Sequence, residues 1–142
     1  MGFAPQFSAR VETRNRVASI SLSGELDVTT VPVLEDHLAR FEAAGLSAIM
    51  IDLRELTFLD RSAMQAFLAA RERANQNGHR LILVGASPGA RRLFELTNTE
   101  FLLDDHDTTV VMNRFTGGGP DRAYREPAGA GVEVEMDADA DA

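Results

Sequence analysis

The stretch "IDLRELTFLDRSAMQAFLAARERANQ" (residues 51–76) indicates a buried strand that leads directly into a long amphipathic helix. The apolar run "AIMIDL" (Ala48–Leu53) has the length of a strand and is typical of one covered on both faces. A helix of apolar periodicity follows and is expected to end near Asn77–Gly78. Its buried face is predicted to contain Met64, Phe67, Leu68 and the stem of Arg71. A single hydroxyl, that of Ser62, thus lies at the helix start, two residues after acidic Asp60.

The residues before this stretch predict a β-hairpin followed by a helix. The segments "FSARVET" (Phe7–Thr13) and "RVASISLSG" (Arg16–Gly24) alternate apolar and polar residues around the polar turn Arg14–Asn15. This pattern is typical of two antiparallel strands. Thr29 or Thr30 is in position to cap the helix that comes next. The apolar stripe of that helix consists of Val31, Leu34, Leu38 and Phe41.

The residues after the stretch continue the alternation of strands and helices. "RLILVG" (Arg80–Gly85) predicts a second buried strand, and Ser87–Pro88 predicts the N-cap and first-turn proline of another helix. That helix is expected to bury Leu93 and Leu96, and "FLLDD" (Phe101–Asp105) predicts a last short strand. The pattern implies an α/β fold, with a mixed β-sheet that is opened by the hairpin and has helices packed on it. Right-handed crossovers would make the later part of the sheet parallel.

The composition excludes several classes of function. The chain has 142 residues, no cysteine and a net charge of −8, so disulfides and thiolate metal sites are excluded and nucleic acid is not an expected partner. All 14 basic residues are arginine, which excludes chemistry that depends on a lysine. No segment approaches the roughly 20 apolar residues that span a bilayer, and no cleavable signal pattern is found. We therefore expect a cytoplasmic protein without membrane contact.

The composition also predicts one folded domain and an acidic tail. Residues 116–142 contain five of the 11 glycines, two of the five prolines, and seven acidic residues against two arginines. Such a segment buries too little apolar surface to offset its ordering entropy, so we expect it to be disordered. The folded domain is predicted to span residues 6–115. Its last element would be a short helix capped by Asp107 or Thr108.

The residues present give little support to two kinds of reactive site, that of a serine hydrolase and that of an aspartyl-phosphate receiver domain. A serine hydrolase needs a base for Ser62, but the residues around Ser62 lack the G-x-S-x-G elbow. The histidines that could act as this base are scattered along the chain, at His37, His79 and His106. An aspartyl-phosphate receiver domain would place Asp52 at a strand end, but such sites also use a lysine, and the chain has none. No metal or cofactor site is predicted.

Ser62 remains the candidate functional residue, and the residues alone leave two interpretations open. In the structural interpretation, Ser62 is only a helix N-cap, which stabilises a helix by about 1 kcal/mol. In the functional interpretation, the backbone N–H groups and the dipole at the helix start accommodate a phosphate on Ser62. A phosphoserine would add about −1.5 to −2 charges. A partner that tolerates the hydroxyl would then be repelled.

Three segments carry a family resemblance: "SLSGELDVTTVPVLEDHL" (21–38), "IMIDLRELTFLDRSAMQAFLAA" (49–70) and "RLILVGASPGARRLFELTNTEFLL" (80–103). Together they cover nearly the whole predicted domain. In their order and spacing they resemble the STAS domain, in its anti-sigma factor antagonist form. The resemblance implies an STAS-like mixed sheet and a binding module rather than an enzyme. It also implies that the chain has no cofactor of its own, since ATP would belong to the partner kinase.

The resemblance implies a role for each residue at the helix start. In that family, the residue matching Ser62 is phosphorylated by the anti-sigma factor, which is itself a serine kinase. The unphosphorylated form would bind this kinase and free the sigma factor, phosphorylation would dissociate the complex, and a phosphatase would reset it. Asp27 matches a residue used in partner recognition, and Asp60 matches the acid before the phosphoacceptor. We therefore predict Ser62 as the phosphorylation site and a partner-binding surface of Asp27, Asp60, Arg61, Ser62 and Ala63.

The site departs from the family pattern at two positions. The usual sequence is Asp-Ser-Ser-Gly or Asp-Ser-Thr-Gly, whereas this chain has Asp60, Arg61, Ser62 and Ala63. Arg61 is placed to pair with a phosphate, and Ala63 adds a methyl group where a kinase would approach. The binding role survives both changes better than phosphorylation does. The alternative is therefore a non-phosphorylated STAS scaffold or transporter-associated subunit that binds its partner constitutively. The sequence leaves the oligomeric state open.

Overall fold

The structure is a computed structural model that describes residues 7–104. It contains one five-stranded sheet in the order β1-β2-β3-β4-β5, in which β1 is antiparallel to β2 and all later neighbours are parallel. A mixed sheet opened by a hairpin, as predicted, is therefore confirmed. The elements are β1 (Phe7–Arg14), β2 (Val17–Leu26), α1 (Val31–Ala43), β3 (Ala48–Leu59), α2 (Arg61–Asn77), β4 (Arg80–Val84), α3 (Pro88–Leu96), a 3₁₀ turn (Glu100–Leu102) and β5 (Leu103–Asp104).

The hairpin turn lies one residue later than the sequence predicts. Arg14 still belongs to β1 and pairs with Val17, and the two turn residues are Asn15 and Arg16. Both have positive φ angles, +50° and +66°. A two-residue turn of this kind matches the right-handed twist of the strands it joins. Asparagine tolerates a positive φ better than most residues do, which explains its place in the turn.

The register between β2 and β3 contains two irregularities. Ser21 pairs with Asp52, but the next pairs are Ser23 with Glu55 and, after a second shift, Glu25 with Phe58. At each shift β3 uses one residue more than β2, as in a β-bulge. As a result β3 extends to Leu59, well past the apolar run 48–53 that predicts it. The alternation of buried and exposed residues is lost there, so periodicity alone did not reveal the second half of the strand.

The main core lies between the sheet and the helices. Strands that follow one another in the sheet and are joined by right-handed crossovers carry their helices on the same face. On that face most strand residues are buried, including Ile20, Leu22, Ile51 and Leu83. The helices contribute Leu34, Leu38, Met64, Phe67 and Phe94. The rings of Phe67 and Phe94 stack with their centroids 6.2 Å apart and so join α2 to α3. Among residues 7–104, no helix is long and apolar enough to cross a bilayer.

The opposite face of the sheet holds a smaller buried cluster and one ion pair. The cluster consists of Val17, Ala48, Met50, Ile82 and Val84. In the same row as Met50, Asp52 is only 5% exposed. Arg54 binds it through two guanidinium nitrogens, with Nη2 2.7 Å from Oδ2 and Nε 3.0 Å from Oδ1. The backbone N–H of Arg54 also donates to Oδ1. Asp52 is thus held as a structural carboxylate.

Replacing Gly85 with alanine is expected to destabilise the fold by about 2–3 kcal/mol. Gly85 has a φ of +79°, and a Cβ there would overlap Cγ of Arg54 and lie 3.0 Å from Oδ1 of Asp52. The substitution therefore strains the backbone and displaces Arg54 from its ion pair. Urea unfolding would measure the loss. Gly78→Ala is the matched control, because Gly78 has a φ of +81° and open space around it. Equal losses at both positions would contradict the steric argument.

Two predicted burial assignments need correction. Leu68 is 37% exposed, since it lies at the margin of the α2 face that buries Met64 and Phe67. Leu96 is 65% exposed, and Phe94 takes the buried place in α3. Residues three and four apart share a helix face, so Ala90, Leu93 and Phe94 turn towards the core. Around the helix, Leu96 lies on the side of Leu93 that is away from Ala90 and Phe94, so it projects off that face and is exposed.

The last predicted strand is shorter than expected. Phe101 and Leu102 belong to the 3₁₀ turn, and only Leu103 and Asp104 pair with β4. The apolar run in "FLLDD" is therefore divided between two elements, because Leu102 reaches the core from the turn. The predicted helix after Asp107 and the predicted tail 116–142 lie outside the described residues.

Candidate functional site

The predicted site residues come together because β2 and β3 end at the same level. Leu26 and Leu59, the last residues of these strands, are partners in the parallel register. Asp27 follows the first and Asp60 follows the second, so two acidic loops leave neighbouring strands side by side. The carboxyl ends of parallel strands are where α/β sheets commonly place binding sites. The α2 helix starts directly from the second loop.

Asp60 rather than Ser62 caps α2. The Asp60 backbone is extended, and its Oδ1 accepts hydrogen bonds from the backbone N–H groups of Ser62 at 2.9 Å and Ala63 at 3.2 Å. This is the usual N-cap arrangement, in which a side-chain oxygen satisfies free N–H groups of the first turn. The interpretation of Ser62 as the cap is therefore wrong. Its hydroxyl is not needed for that role.

The Ser62 hydroxyl donates to the same carboxylate oxygen, with Oγ 2.7 Å from Oδ1 of Asp60. Ser62 is partly exposed and is the second residue of α2. This hydrogen bond fixes the orientation of Oγ, which lies close to the end of β3. Among the hydrogen bonds of residues 7–104, the Ser62 hydroxyl is paired with Asp60 and not with a histidine.

The residues on either side of Ser62 differ in accessibility. Arg61 is exposed at the first position of α2. Ala63, in contrast, is fully buried in the main core. Its methyl group points inwards, so the structure does not place Ala63 on the predicted partner-binding surface. Of the five predicted residues, Asp27, Asp60, Arg61 and Ser62 remain accessible at the surface.

Asp27 organises the loop between β2 and α1. Its Oδ1 accepts hydrogen bonds from the Thr29 hydroxyl at 2.6 Å, the Thr29 N–H at 2.9 Å and the Thr30 N–H at 3.3 Å. Thr30 is the N-cap residue of α1 but makes no side-chain capping bond. Its hydroxyl instead donates to the carbonyl of Glu25 and accepts from the N–H of Asp27. Asp27 thus stabilises the turn before α1 through its side-chain carboxylate.

The Thr29 hydroxyl is the main cause that holds the pKa of Asp27 below its ordinary value of 3.8. A carboxyl group with a lowered pKa stabilises the folded state above its unfolded pKa, and this contribution is lost as the pH falls through the folded pKa. Asp27 is therefore ionised at neutral pH.

We expect Thr29→Val to raise the pKa of Asp27 in an NMR titration of its carboxyl carbon. Thr57→Val removes a hydroxyl outside this loop and should leave the pKa of Asp27 unchanged. A similar rise of this pKa in both variants would contradict the role given to the Thr29 hydroxyl.

Two exposed apolar side chains beside the acidic loops were missed by the sequence analysis. Val28 is 69% exposed in the Asp27 loop, and Phe58 is 50% exposed near the end of β3. Phe58 borders a groove of about 180 Å³. It is formed by Leu56, Thr57, Phe58 and Leu59 on one side and by Ser87, Gly89, Ala90 and Leu93 of the α3 start on the other. The signal in the sequence was weak, because an apolar residue at a strand end is usually buried.

Known proteins with similar sequences and folds share this architecture. The STAS domain model matches residues 8–111. An anti-sigma-B factor antagonist of Staphylococcus aureus is 31% identical over 99 residues, which cover 70% of this chain and 92% of the relative. The anti-sigma factor antagonist SpoIIAA in its unphosphorylated form superimposes with a TM-score of 0.69 at 22% identity, covering 77% of this chain and 96% of that chain. The Bacillus cell fate determinant SpoIIAA in its phosphorylated form gives 0.63 at 22% identity, covering 75% and 98%.

The family model matches most of the chain, and the S. aureus relative aligns over the same domain. The two solved structures agree with the five-stranded mixed sheet and its helices. The chain therefore belongs to the STAS domain family, in which the relatives named above are anti-sigma factor antagonists.

Proposed function

We propose that this protein is an anti-sigma factor antagonist, a regulatory binding module rather than an enzyme. Its partner is an anti-sigma factor with serine kinase activity. The unphosphorylated chain binds this kinase and so releases the sigma factor. Phosphorylation of Ser62 ends the interaction, and a phosphatase restores it. The similarity of the chain to the S. aureus anti-sigma-B factor antagonist and to the anti-sigma factor antagonist SpoIIAA supports this assignment.

The observation that carries the proposal is the position of the Ser62 hydroxyl. It is partly exposed at the start of α2, held at 2.7 Å from Asp60, and lies beside the Asp27 loop. Asp60 caps the helix, so the hydroxyl is available for modification without loss of the N-cap. A solved phosphorylated form of SpoIIAA supports the same chemistry for a protein of this fold.

Phosphorylation would turn the attractive contact between Ser62 and Asp60 into a repulsive one. The kinase transfers the terminal phosphoryl group of ATP to Oγ, ADP is released as the leaving group, and the hydroxyl proton is released to water. Oγ then has no hydrogen to donate to Asp60, and a group of about −1.5 to −2 charges lies beside the carboxylate. The acidic loops would become more negative, and Arg61 at the first helical position is the nearest cation in sequence. A partner surface that fits the neutral hydroxyl would face like-charge repulsion and a higher desolvation cost.

Val28 and Phe58 supply the apolar part of the proposed interface. Exposed aromatic residues beside a polar rim are frequent energetic centres of protein–protein interfaces. Phe58 also borders the groove between β3 and α3, which offers a concave site for a side chain of the kinase. The proposed surface thus combines the acidic loops, Ser62, Arg61 and this apolar edge.

The test uses the full chain with each purified anti-sigma factor kinase of its host, with and without Mg-ATP. We expect one of them to bind without ATP, to add one phosphate to the chain by intact-mass spectrometry, and to dissociate as the phosphate appears. Ser62→Ala should bind and remain unmodified. Ser47→Ala is the matched control, since Ser47 is exposed and precedes β3, at the opposite end of that strand from Ser62. A bound partner with no phosphate and no effect of ATP would support the constitutive scaffold instead.

A further inference from the structure

The strand β1 presents a long edge of the sheet. It has eight residues and pairs along its whole length with β2 on one side. Within residues 7–104, no strand pairs with its other side. Strand edges expose backbone N–H and C=O groups that can pair with another strand, and proteins commonly keep such edges short. An eight-residue edge is longer than the usual strand of about five or six residues.

The side chains along this edge carry alternating charges. On the face away from the helices, β1 places Ser8, Arg10, Glu12 and Arg14 in one row. Arg10 and Glu12 are both exposed, and they flank Val11, which packs against the main core from the other face. Opposite charges two residues apart on a strand have a simple geometric consequence. An antiparallel copy of the same strand, centred on Val11, is complementary to it.

We propose that two copies of this protein pair through β1, antiparallel and related by a two-fold axis at Val11. Directly opposite residues of an antiparallel pair lie on the same face, and so Arg10 of one protomer faces Glu12 of the partner subunit. The symmetry repeats this contact, which gives two ion pairs. Centring on Arg10 would instead oppose two arginines, and centring on Glu12 would oppose two glutamates. The charge pattern therefore selects one register among the neighbouring ones.

The pairing joins the two sheets edge to edge into one continuous sheet. An isologous contact of this kind closes after two copies and does not propagate. Ser62 follows β3, which is separated from the outer edge of β1 by β2, so both candidate functional sites stay outside the contact. This inference is consequently independent of the proposed function, and either can fail without the other.

The test measures the average mass of the full chain by sedimentation from micromolar to millimolar concentration. The unmodified chain should shift from monomer towards dimer. Arg10→Glu opposes two glutamates at each contact and Glu12→Arg opposes two arginines, so each variant alone should dimerise about tenfold more weakly. An equimolar mixture of the two should recover dimers, since each contact then joins a glutamate to an arginine. The double variant, Arg10→Glu with Glu12→Arg, should also recover.

The two single variants change exposed residues and are expected to keep the melting temperature of the unmodified chain, which circular dichroism would verify. A chain that stays monomeric at every concentration would overturn the proposal. So would single variants that dimerise as strongly as the unmodified chain. If both single variants lose the dimer but their mixture does not regain it, the register centred on Val11 is wrong.

Discussion

Ser62→Glu is expected to bind the anti-sigma factor kinase about tenfold to a hundredfold more weakly than the unmodified chain, a cost of about 1.4–2.8 kcal/mol. The Ser62 Oγ is 2.7 Å from a carboxylate oxygen of Asp60. A second carboxylate at this position therefore adds like charge where the two acidic loops already meet. When a partner excludes water from the surface, that repulsion and the cost of desolvating the new charge both increase. Titration calorimetry with the kinase would measure the change.

The matched control for this effect is Ser62→Gln, which has nearly the size of glutamate but no charge. It separates the electrostatic cost from the steric one, and should bind more tightly than Ser62→Glu. Ser47→Glu adds the same charge before β3, at the opposite end of that strand from Ser62, and should change the affinity far less. Equal affinities of the Glu and Gln variants of Ser62 would contradict a switch based on charge.

Phe67→Ala is expected to reduce the free energy of unfolding by about 3–5 kcal/mol. Phe67 is fully buried, and its ring stacks on Phe94 between α2 and α3. The truncation removes apolar burial, leaves a cavity, and takes away the aromatic contact. Native domains have a total stability of about 5–15 kcal/mol, so this one change would remove a large part of it. Urea unfolding monitored by circular dichroism would measure the loss.

Leu68→Ala serves as the control in the same helix. Leu68 is adjacent in sequence but 37% exposed, so its truncation should cost about 1 kcal/mol or less. Phe94→Ala should resemble Phe67→Ala, and the double variant should cost less than the sum because the stacking contact is lost only once. Similar losses for Phe67→Ala and Leu68→Ala would show that the burial of the two residues is not as described.

The sequence predicts the order and type of the elements well, because their periodicity is local information. The helix after Asp60 ends at Asn77 with Gly78 in a left-handed C-cap, where the sequence places its end. The N-cap at Ser87 is also confirmed. Leu96 was misassigned because helical spacing defines a face only relative to a chosen starting residue. The neighbours of α3 in the fold decide which face is buried, and they place Phe94 there.

The site was partly predictable for the same reason. Asp60 and Ser62 are two residues apart in sequence, so their contact at the helix start is local. Which of the two residues caps the helix was not predictable, because aspartate and serine are both common N-cap residues. The backbone geometry identifies Asp60 as the N-cap. The proximity of the Asp27 loop depends on the pairing of β2 with β3. Such a long-range register cannot be read from either segment alone.

The two irregularities in β3 determine which changes of chain length the protein can tolerate. From Ser21 to Leu26, β2 advances five residues, while β3 advances seven from Asp52 to Leu59. The two extra residues are absorbed by the bulges, and they bring Asp60 level with Asp27. Deleting one residue between Asp52 and Leu59 would draw the start of α2 back by about 3.3 Å, one strand residue. Natural variants of this chain should therefore accept insertions and deletions in exposed loops such as that around Gly45, while the spacing from Asp52 to Ser62 stays constant in length.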